Sequence, residues 1–263
     1  MIKFCPLFSG SSGNSFYLQY KDTTVLIDAG LSKKKISYAI AQIEEDASSV
    51  DAILITHEHI DHTAGIGVME RGFNIPIYAN LSTWKSMPSS VGSIRNENIR
   101  YFEAGKKFFI KDMEIMPFSI PHDAADPVGF SFYLDCKKVT CVTDIGHLTD
   151  TIIENVKGSD LLLMESNHDL DMLINGSYPW PLKRRIQSQY GHLCNKDCGE
   201  MIAKYIEYGL KSVVLGHLSA ENNSPQLAYD TVKACIEKYG YEIGRDITLE
   251  IAKREGSNSV YIL

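Results

Sequence analysis

Short apolar runs, each closed by a polar or glycine-rich stretch, recur along the chain. "SFYLQY" (15–20) and "TTVLIDAG" (23–30) predict a hairpin turning at Lys21 and Asp22. "DAILIT" (51–56) is continuously apolar, as expected of a strand buried on both faces. Between them, Ile36, Ala39, Ile40 and Ile43 recur at helical spacing within 32–45. "IPIYA" (75–79), "FFIKDMEIMPFSI" (108–120), "VGFSFYLD" (128–135) and "KVTCVTD" (138–144) predict further strands. So do "SDLLLMES" (159–166), "KSVVLGH" (211–217), "DITLEI" and the closing "SVYIL". A helix is expected over 195–208, capped by Asn195 and stopped by Gly209, with Cys198, Ile202, Tyr205 and Ile206 on its apolar face. Another starts at Ser224, carries Pro225 in its first turn and ends at Gly240. Helices interleaved with strands in both halves predict two sheets covered outside by helices, and the absence of a linker or repeat predicts one domain over 1–263. The Ser/Gly stretch 9–15 is read as a turn in preference to an anion-binding nest.

The residues that close the buried strands are chemically unusual. "THEHIDH" (56–62) places three of the chain's eight histidines, His57, His59 and His62, in six positions. His122 comes after "MPFSIP", Asp144 after "KVTCVT", and His217 after "KSVVLG". Strand ends and their loops are where α/β proteins assemble sites. Two residues apart on an extended backbone, His57 and His59 point to one side. Asp61 and His62, past a turn, can face elsewhere. This divides the donors between two cations: His57, His59 and His122 for one, Asp61, His62 and His217 for the other, with Asp144 bridging. Imidazole and carboxylate suit zinc, manganese or iron. A lone His-x-His is weak evidence; this set of seven donors is not.

Composition changes the picture little. The hydrophobic share of 44% and charged share of 22% are those of an average soluble globular chain. No apolar run reaches the ~20 residues of a membrane-spanning helix, and the first residues show no secretory signal. Six scattered cysteines without a CxxC pair fit a reducing, cytoplasmic setting. The net charge of −7 argues against a broad basic footprint for nucleic acid, though not against a local one.

"LIDAG", "THEHIDH", "PHDA", "TDIG" and "GHLS" resemble the five-motif set of the metallo-β-lactamase fold hydrolases, with Asp28 as the first, structural motif. The resemblance implies an αββα sandwich: two mixed sheets with helices outside, and the site at the strand ends. His59 stands where flavo-diiron oxidoreductases carry Glu, and Asp144 is not the Cys of many true β-lactamases. The 72 residues between Asp144 and His217 are too few for the inserted β-CASP domain. "FSGSSGNS", "ESNHD" (165–169), "YPWPLKRRIQSQYGHLCN" (178–195) and "GHLSAENNSPQLA" (216–228) look like the YycJ/WalJ exonuclease group. That likeness implies a metal-dependent 5′-to-3′ DNA exonuclease with two divalent ions, zinc or manganese or else iron. Its expected chemistry is direct attack by metal-bound hydroxide, with Asp61 and Asp144 in the catalytic set.

Glu165 and His192 sit where ribonuclease Z-like enzymes carry a Glu/His pair. His192 is thus expected to bind the scissile phosphate or protonate the leaving oxygen, and Glu165 to orient it. Lys183, Arg184 and Arg185 are candidate contacts to a DNA backbone, with a solvated helix face as the competing reading. Trp180 and Tyr178 could stack on bases or pack a loop between Pro179 and Pro181, and packing is the preferred reading for Trp180. The role of His168 is left open, with an ordinary loop histidine at least as good a reading as a functional one, and His147 is read as structural or as a support behind the site. Competing functions are hydrolysis of RNA or of a small phosphodiester, as in PhnP-type enzymes, and a non-catalytic metal-holding scaffold. Oligomeric state is left open.

Overall fold

The computed structural model describes residues 1–255 and 259–263. Along the chain run β1 (Ile2–Phe8), β2 (Ser15–Tyr20), β3 (Thr23–Ile27), α1 (Lys33–Gln42), β4 (Ala52–Leu54), α2 (Ile60–Thr63), α3 (Ile66–Phe73), β5 (Ile77–Ala79), α4 (Leu81–Ser86), β6 (Ile99–Tyr101), β7 (Phe108–Ile110) and β8 (Met113–Ser119). They are followed by β9 (Val128–Leu134), β10 (Lys137–Val142), α5 (Asp150–Val156), β11 (Leu161–Glu165), α6 (Leu170–Asn175), α7 (Trp180–Ile186), α8 (Asn195–Tyr205), β12 (Ser212–Gly216), α9 (Pro225–Lys238), β13 (Thr248–Ile251) and β14 (Tyr261–Ile262). Two mixed sheets flanked by helices carry the fold, as the alternation of apolar runs and helical periods predicts.

Two compact units divide these elements: residues 1–117, 124–128 and 253–263 form the first, residues 118–123 and 129–252 the second. In the first, strands lie in the order β14-β1-β2-β3-β4-β5-β6. β2 and β3 form the predicted hairpin, Phe16 opposite Ile27 and Tyr20 opposite Thr23. From β3 to β6 the pairing is parallel. Parallel neighbours need crossover connections, and α1 to α4 supply them. Ser32 caps α1 by accepting from Lys35 N–H, and Ile36 and Ile40 turn inward. Those two, with Ile66 and Met69 of α3, bury against Leu26, Ile53 and Ile77. β7 and β8 form a hairpin, Phe108 opposite Ile115.

The second unit repeats the plan. Its strands lie in the order β13-β12-β11-β10-β9, antiparallel between β9 and β10 and parallel from β10 to β13. Ile152 and Val156 of α5, Met201 and Ile202 of α8, and Val232 and Ile236 of α9 cover Val142, Leu162, Met164, Val213 and Leu215. Ser224 caps α9 through Leu227 N–H, with Pro225 at its first position, as the sequence implies. One expectation is corrected: Cys194, not Asn195, is the N-cap of α8, and it makes no side-chain cap bond. Asn195 is instead buried, its amide committed to other side chains.

Within each unit the parallel strands end along one edge of that unit's own sheet, where loops can gather functional groups. Three strand ends turn sharply there: Asp28 after β3, Asp144 after β10 and His217 after β12 have φ of 60°, 60° and 54°. Left-handed backbone is tolerated by Asp and His more than by most residues, yet still costs energy that surrounding contacts must offset.

Candidate metal centre

In the first unit the histidine motif spans the loop after β4 and all but the last residue of α2. His57 and His59 do lie on one side, their ring centroids 4.6 Å apart. His62 also faces His57, at 4.1 Å. Gly30 lets this segment dock: a Cβ there would lie 1.7 Å from the Asp61 carbonyl oxygen.

Asp28 organises the imidazoles from beneath. It is fully buried, and His62 Nδ1 lies 2.7 Å from its Oδ2. Thr56 donates its hydroxyl to the same oxygen at 2.8 Å and its N–H to Oδ1 at 2.9 Å. His57 Nδ1 lies 3.0 Å from the Thr56 hydroxyl, which completes a relay from His57 to Asp28. With Nδ1 as the protonated nitrogen on both rings, Nε2 is the nitrogen that could hold a metal. Burial pushes the Asp28 carboxyl above the ordinary carboxylate range, opposed by His62 and Thr56. Asn14, which sequence reasoning passed over as part of a turn, reaches His62 Nε2 at 3.1 Å and Asp61 Oδ2 at 3.4 Å. The turn reading of 9–15 itself holds, since Gly13 N–H closes on the Gly10 carbonyl.

The second unit gathers donors from distant positions around Asp144. His217 Nε2 and His122 Nε2 lie 3.6 and 3.8 Å from Asp144 Oδ1, and His192 Nδ1 3.9 Å. Glu165, at the end of β11, is fully buried. Its Oε1 accepts from Nδ1 of both His192 and His217, each at 2.8 Å. Its Oε2 accepts N–H from Ile145 at 2.7 Å and Leu193 at 3.2 Å. One carboxylate thus orients two imidazoles and pins the loops beside Asp144 and His192. The expected Glu165–His192 pair is present; the equal bond to His217 is new. Asp144, Glu165, His192 and His217 together present one donor atom each within reach of a single cation. His122 Nδ1 meets the Gly191 carbonyl at 3.2 Å, so its Nε2 too is the nitrogen that could hold a metal.

The electrostatics follow from burial and partners. Burial alone would raise the Glu165 pKa, but the His192 and His217 imidazoles outweigh it and hold it at about 2. Burial alone would lower that of His192, and Glu165 reverses the sign. At His122 burial wins and the pKa falls. His168, whose role the sequence leaves open, is 2% exposed, and burial holds its pKa down to about 4.

Beneath His217 lies an amide network. Asn167 Nδ2 donates to the His217 carbonyl at 2.9 Å. Asn223 Nδ2 donates to the Ser166 and Asn167 carbonyls, and Asn195 Nδ2 to Asn223 Oδ1. Ser166 Oγ donates to Asn195 Oδ1 at 2.7 Å. All four residues are buried. The network ties the left-handed turn at His217 to the ends of β11 and α8.

The basic run divides. Lys183 is 5% exposed, and its ammonium donates to the Ile174 and Gly176 carbonyls at 2.7 Å each. This corrects the expectation that it meets phosphate: two of its protons close the end of α6. Arg184 is exposed, and Arg185 Nε donates to Asp123 Oδ2 at 2.6 Å. Trp180 is 59% exposed, so its expected packing role is also corrected. His147 is exposed, with Nδ1 2.9 Å from the Gln189 carbonyl, in line with a structural part.

The sequence matches the family described as "Beta-lactamase superfamily domain" over residues 23–218. It is 38% identical over 243 residues to exodeoxyribonuclease YycJ of Bacillus anthracis, covering 92% of each chain. It is 41% identical over 247 residues to exodeoxyribonuclease WalJ of Streptococcus pneumoniae, covering 93% of this chain and 92% of that one. Among solved structures, the metallo-β-lactamase fold protein YhfI of Bacillus subtilis aligns with a TM-score of 0.74 at 17% identity, over 99% of this chain and 98% of that one.

Proposed function

The chain belongs to the β-lactamase superfamily domain family, and from that premise we propose that it is a metal-dependent exonuclease that digests DNA from the 5′ end. The relatives at 38–41% identity over more than nine-tenths of the chain, both named exodeoxyribonucleases, support a nuclease acting on nucleic acid. The donor chemistry supports divalent cations: buried imidazoles held by carboxylate, hydroxyl or carbonyl at Nδ1 are the form in which histidine ligates. We assign His57, His59 and His122 to one ion, Asp61, His62 and His217 to a second, and Asp144 to both. When bound, zinc, manganese or iron would activate a water and offset charge on the phosphate.

The chain's own groups supply the rest. Asp144 and Asp61 orient the attacking water by accepting its protons. Glu165 holds the His192 ring by Nδ1, which aims Nε2 at the scissile phosphate or the leaving oxygen. The His192 side chain is 17% exposed, so substrate can reach it. A proton held on Nε2 passes to the 3′ or 5′ oxygen as it departs. Arg184 and Arg185 are the candidate backbone contacts; Lys183 drops out of that set.

The observation that carries this reading is Glu165 Oε1 shared between His192 and His217 at 2.8 Å each. It couples a ligand to a proton donor, which a passive metal scaffold does not need. The test is digestion of duplex DNA labelled at either end by manganese- or zinc-loaded protein, with metal counted by elemental analysis. Release of mononucleotide from the 5′ label first is the expected result. Hydrolysis of bis-p-nitrophenyl phosphate with intact polymer would shift the reading to a small-molecule phosphodiesterase.

A further inference from the structure

We propose that α7 and the turn after it form a stacking platform for the unpaired bases of a single nucleic-acid strand, with Trp180 and Tyr190 as the stacking rings and Arg184 and Arg185 beside the phosphates. The proposal rests on nucleic acid being the substrate and adds how the polymer is gripped.

Trp180 and Tyr190 are 59% and 58% exposed. Single exposed apolar residues are ordinary, but here Leu170 and Ile174 of the preceding helix are exposed as well. The rings are also mounted rather than loose. The Lys183 ammonium lies 5.2 Å from the centre of the Trp180 ring while donating to the Ile174 and Gly176 carbonyls. That buried cation therefore braces the ring against the end of α6.

Tyr190 stands on a clamped turn. Its carbonyl accepts from Asp123 N–H at 3.1 Å, and the Gln189 carbonyl meets His147 Nδ1 at 2.9 Å. Gly191 N–H closes on the Ser188 carbonyl, and His192 N–H on that of Ile186. Gly146 permits the clamp, since a Cβ there would lie 2.1 Å from the Gln189 carbonyl oxygen. A ring held in advance loses little freedom when a ligand stacks on it. Two residues on, His192 carries the proposed proton donor, so a base on Tyr190 belongs to a nucleotide next to the reacting phosphate.

Charge selects the occupant. In a chain of net charge −7, the last turn of α7 presents the exposed Arg184 and Arg185, Lys183 being buried, and its first turn holds no acid. Trp180 and Arg184, four apart, share one helix face. Aromatic rings interleaved with arginine suit a polyanion that exposes π-faces, which a single strand does and a duplex interior does not. A protein partner would not call for the cations.

The test uses metal-loaded protein and a phosphorothioate oligothymidylate of roughly twelve nucleotides, which resists cleavage. With only two tryptophans in the chain, Trp84→Phe leaves Trp180 as the reporter. Strand binding should quench its fluorescence. By anisotropy of labelled strand, Tyr190→Ala and Trp180→Ala should each raise Kd by roughly 5- to 150-fold. Tyr190→Phe should restore binding, because stacking needs the ring and not the hydroxyl. Tyr208→Ala, an exposed aromatic elsewhere, should change nothing. Absent quenching, with both alanine variants within twofold of the parent, overturns the platform, and no strand binding by the parent overturns it in favour of a protein-docking face. The two readings fail separately. Strand binding with quenching but no digestion of any DNA would sink the catalytic reading alone. Normal digestion with insensitive Kd would sink the platform alone.

Discussion

The two units supply functional groups in opposite ways. In the first, four donors lie in six consecutive residues, His57 to His62, and one buried aspartate supports them. In the second, His122, Asp144, Glu165, His192 and His217 come from places up to 95 positions apart, and a shared carboxylate plus an amide network gathers them. Local sequence positions the first set; tertiary structure positions the second. The second should therefore be the more fragile to changes outside its donors.

The largest effect should come from Asp144→Ala, which removes the carboxylate around which the second unit's imidazoles stand. Digestion should fall to background and metal content should drop; full metal content by elemental analysis would contradict the assignment. His192→Ala should instead keep its metal and lose about 10²–10⁴-fold in turnover. An equal loss of metal there would make it a ligand and not a proton donor.

The supports can be compared directly. Glu165→Gln and Asp28→Asn each preserve shape, and asparagine accepts the left-handed backbone at 28. Each should cost about 10- to 100-fold in metal affinity or activity, the range for groups that orient ligands. Glu165→Gln should also lower turnover per bound metal, because it releases His192 as well as His217. If the two variants behave alike in turnover per metal, the contrast between the units fails.

Asn223→Ala should act on stability more than chemistry. It leaves the Ser166 and Asn167 carbonyls and the Asn195 amide without a buried partner, at about 1–3 kcal/mol per group. A melting temperature unchanged from the parent would show that the network does not brace the fold.

The smallest effect is the contribution of His168 to pH dependence. An ordinary imidazole titrates near 6.5 and this one near 4. Between those values the unfolded chain takes up a proton that the folded chain refuses. Stability should thus fall as pH drops from ~6.5 and level off below about 4, by a few kcal/mol at most. His168→Gln should flatten that part of the curve; an identical slope would remove His168 as the cause.

The same contrast explains what sequence reveals. The hairpin at Lys21, the β12 and α9 boundaries and the seven donor candidates are legible, because strand and helix periods and strand-end chemistry are local signals. The short helices α2 and α3 are not, because a ligand-rich loop masks the inward spacing of Ile66 and Met69. Asn14, Asn167, Asn195 and Asn223 carry no periodicity, and nothing along the chain distinguishes an amide that braces a site from one in a turn. Lys183 and Trp180 mislead in complementary ways. A charge run is read as meeting phosphate or water and a Pro-flanked tryptophan as packed, whereas the lysine is buried with its protons on carbonyls and the ring stands in water.

The doubly committed oxygen of Glu165 makes position 165 pleiotropic. No variant there can retune acidity at one histidine without disturbing cation retention at the other. Laboratory evolution toward a different pH optimum should therefore find its solutions around the rim of His192 and leave residue 165 untouched.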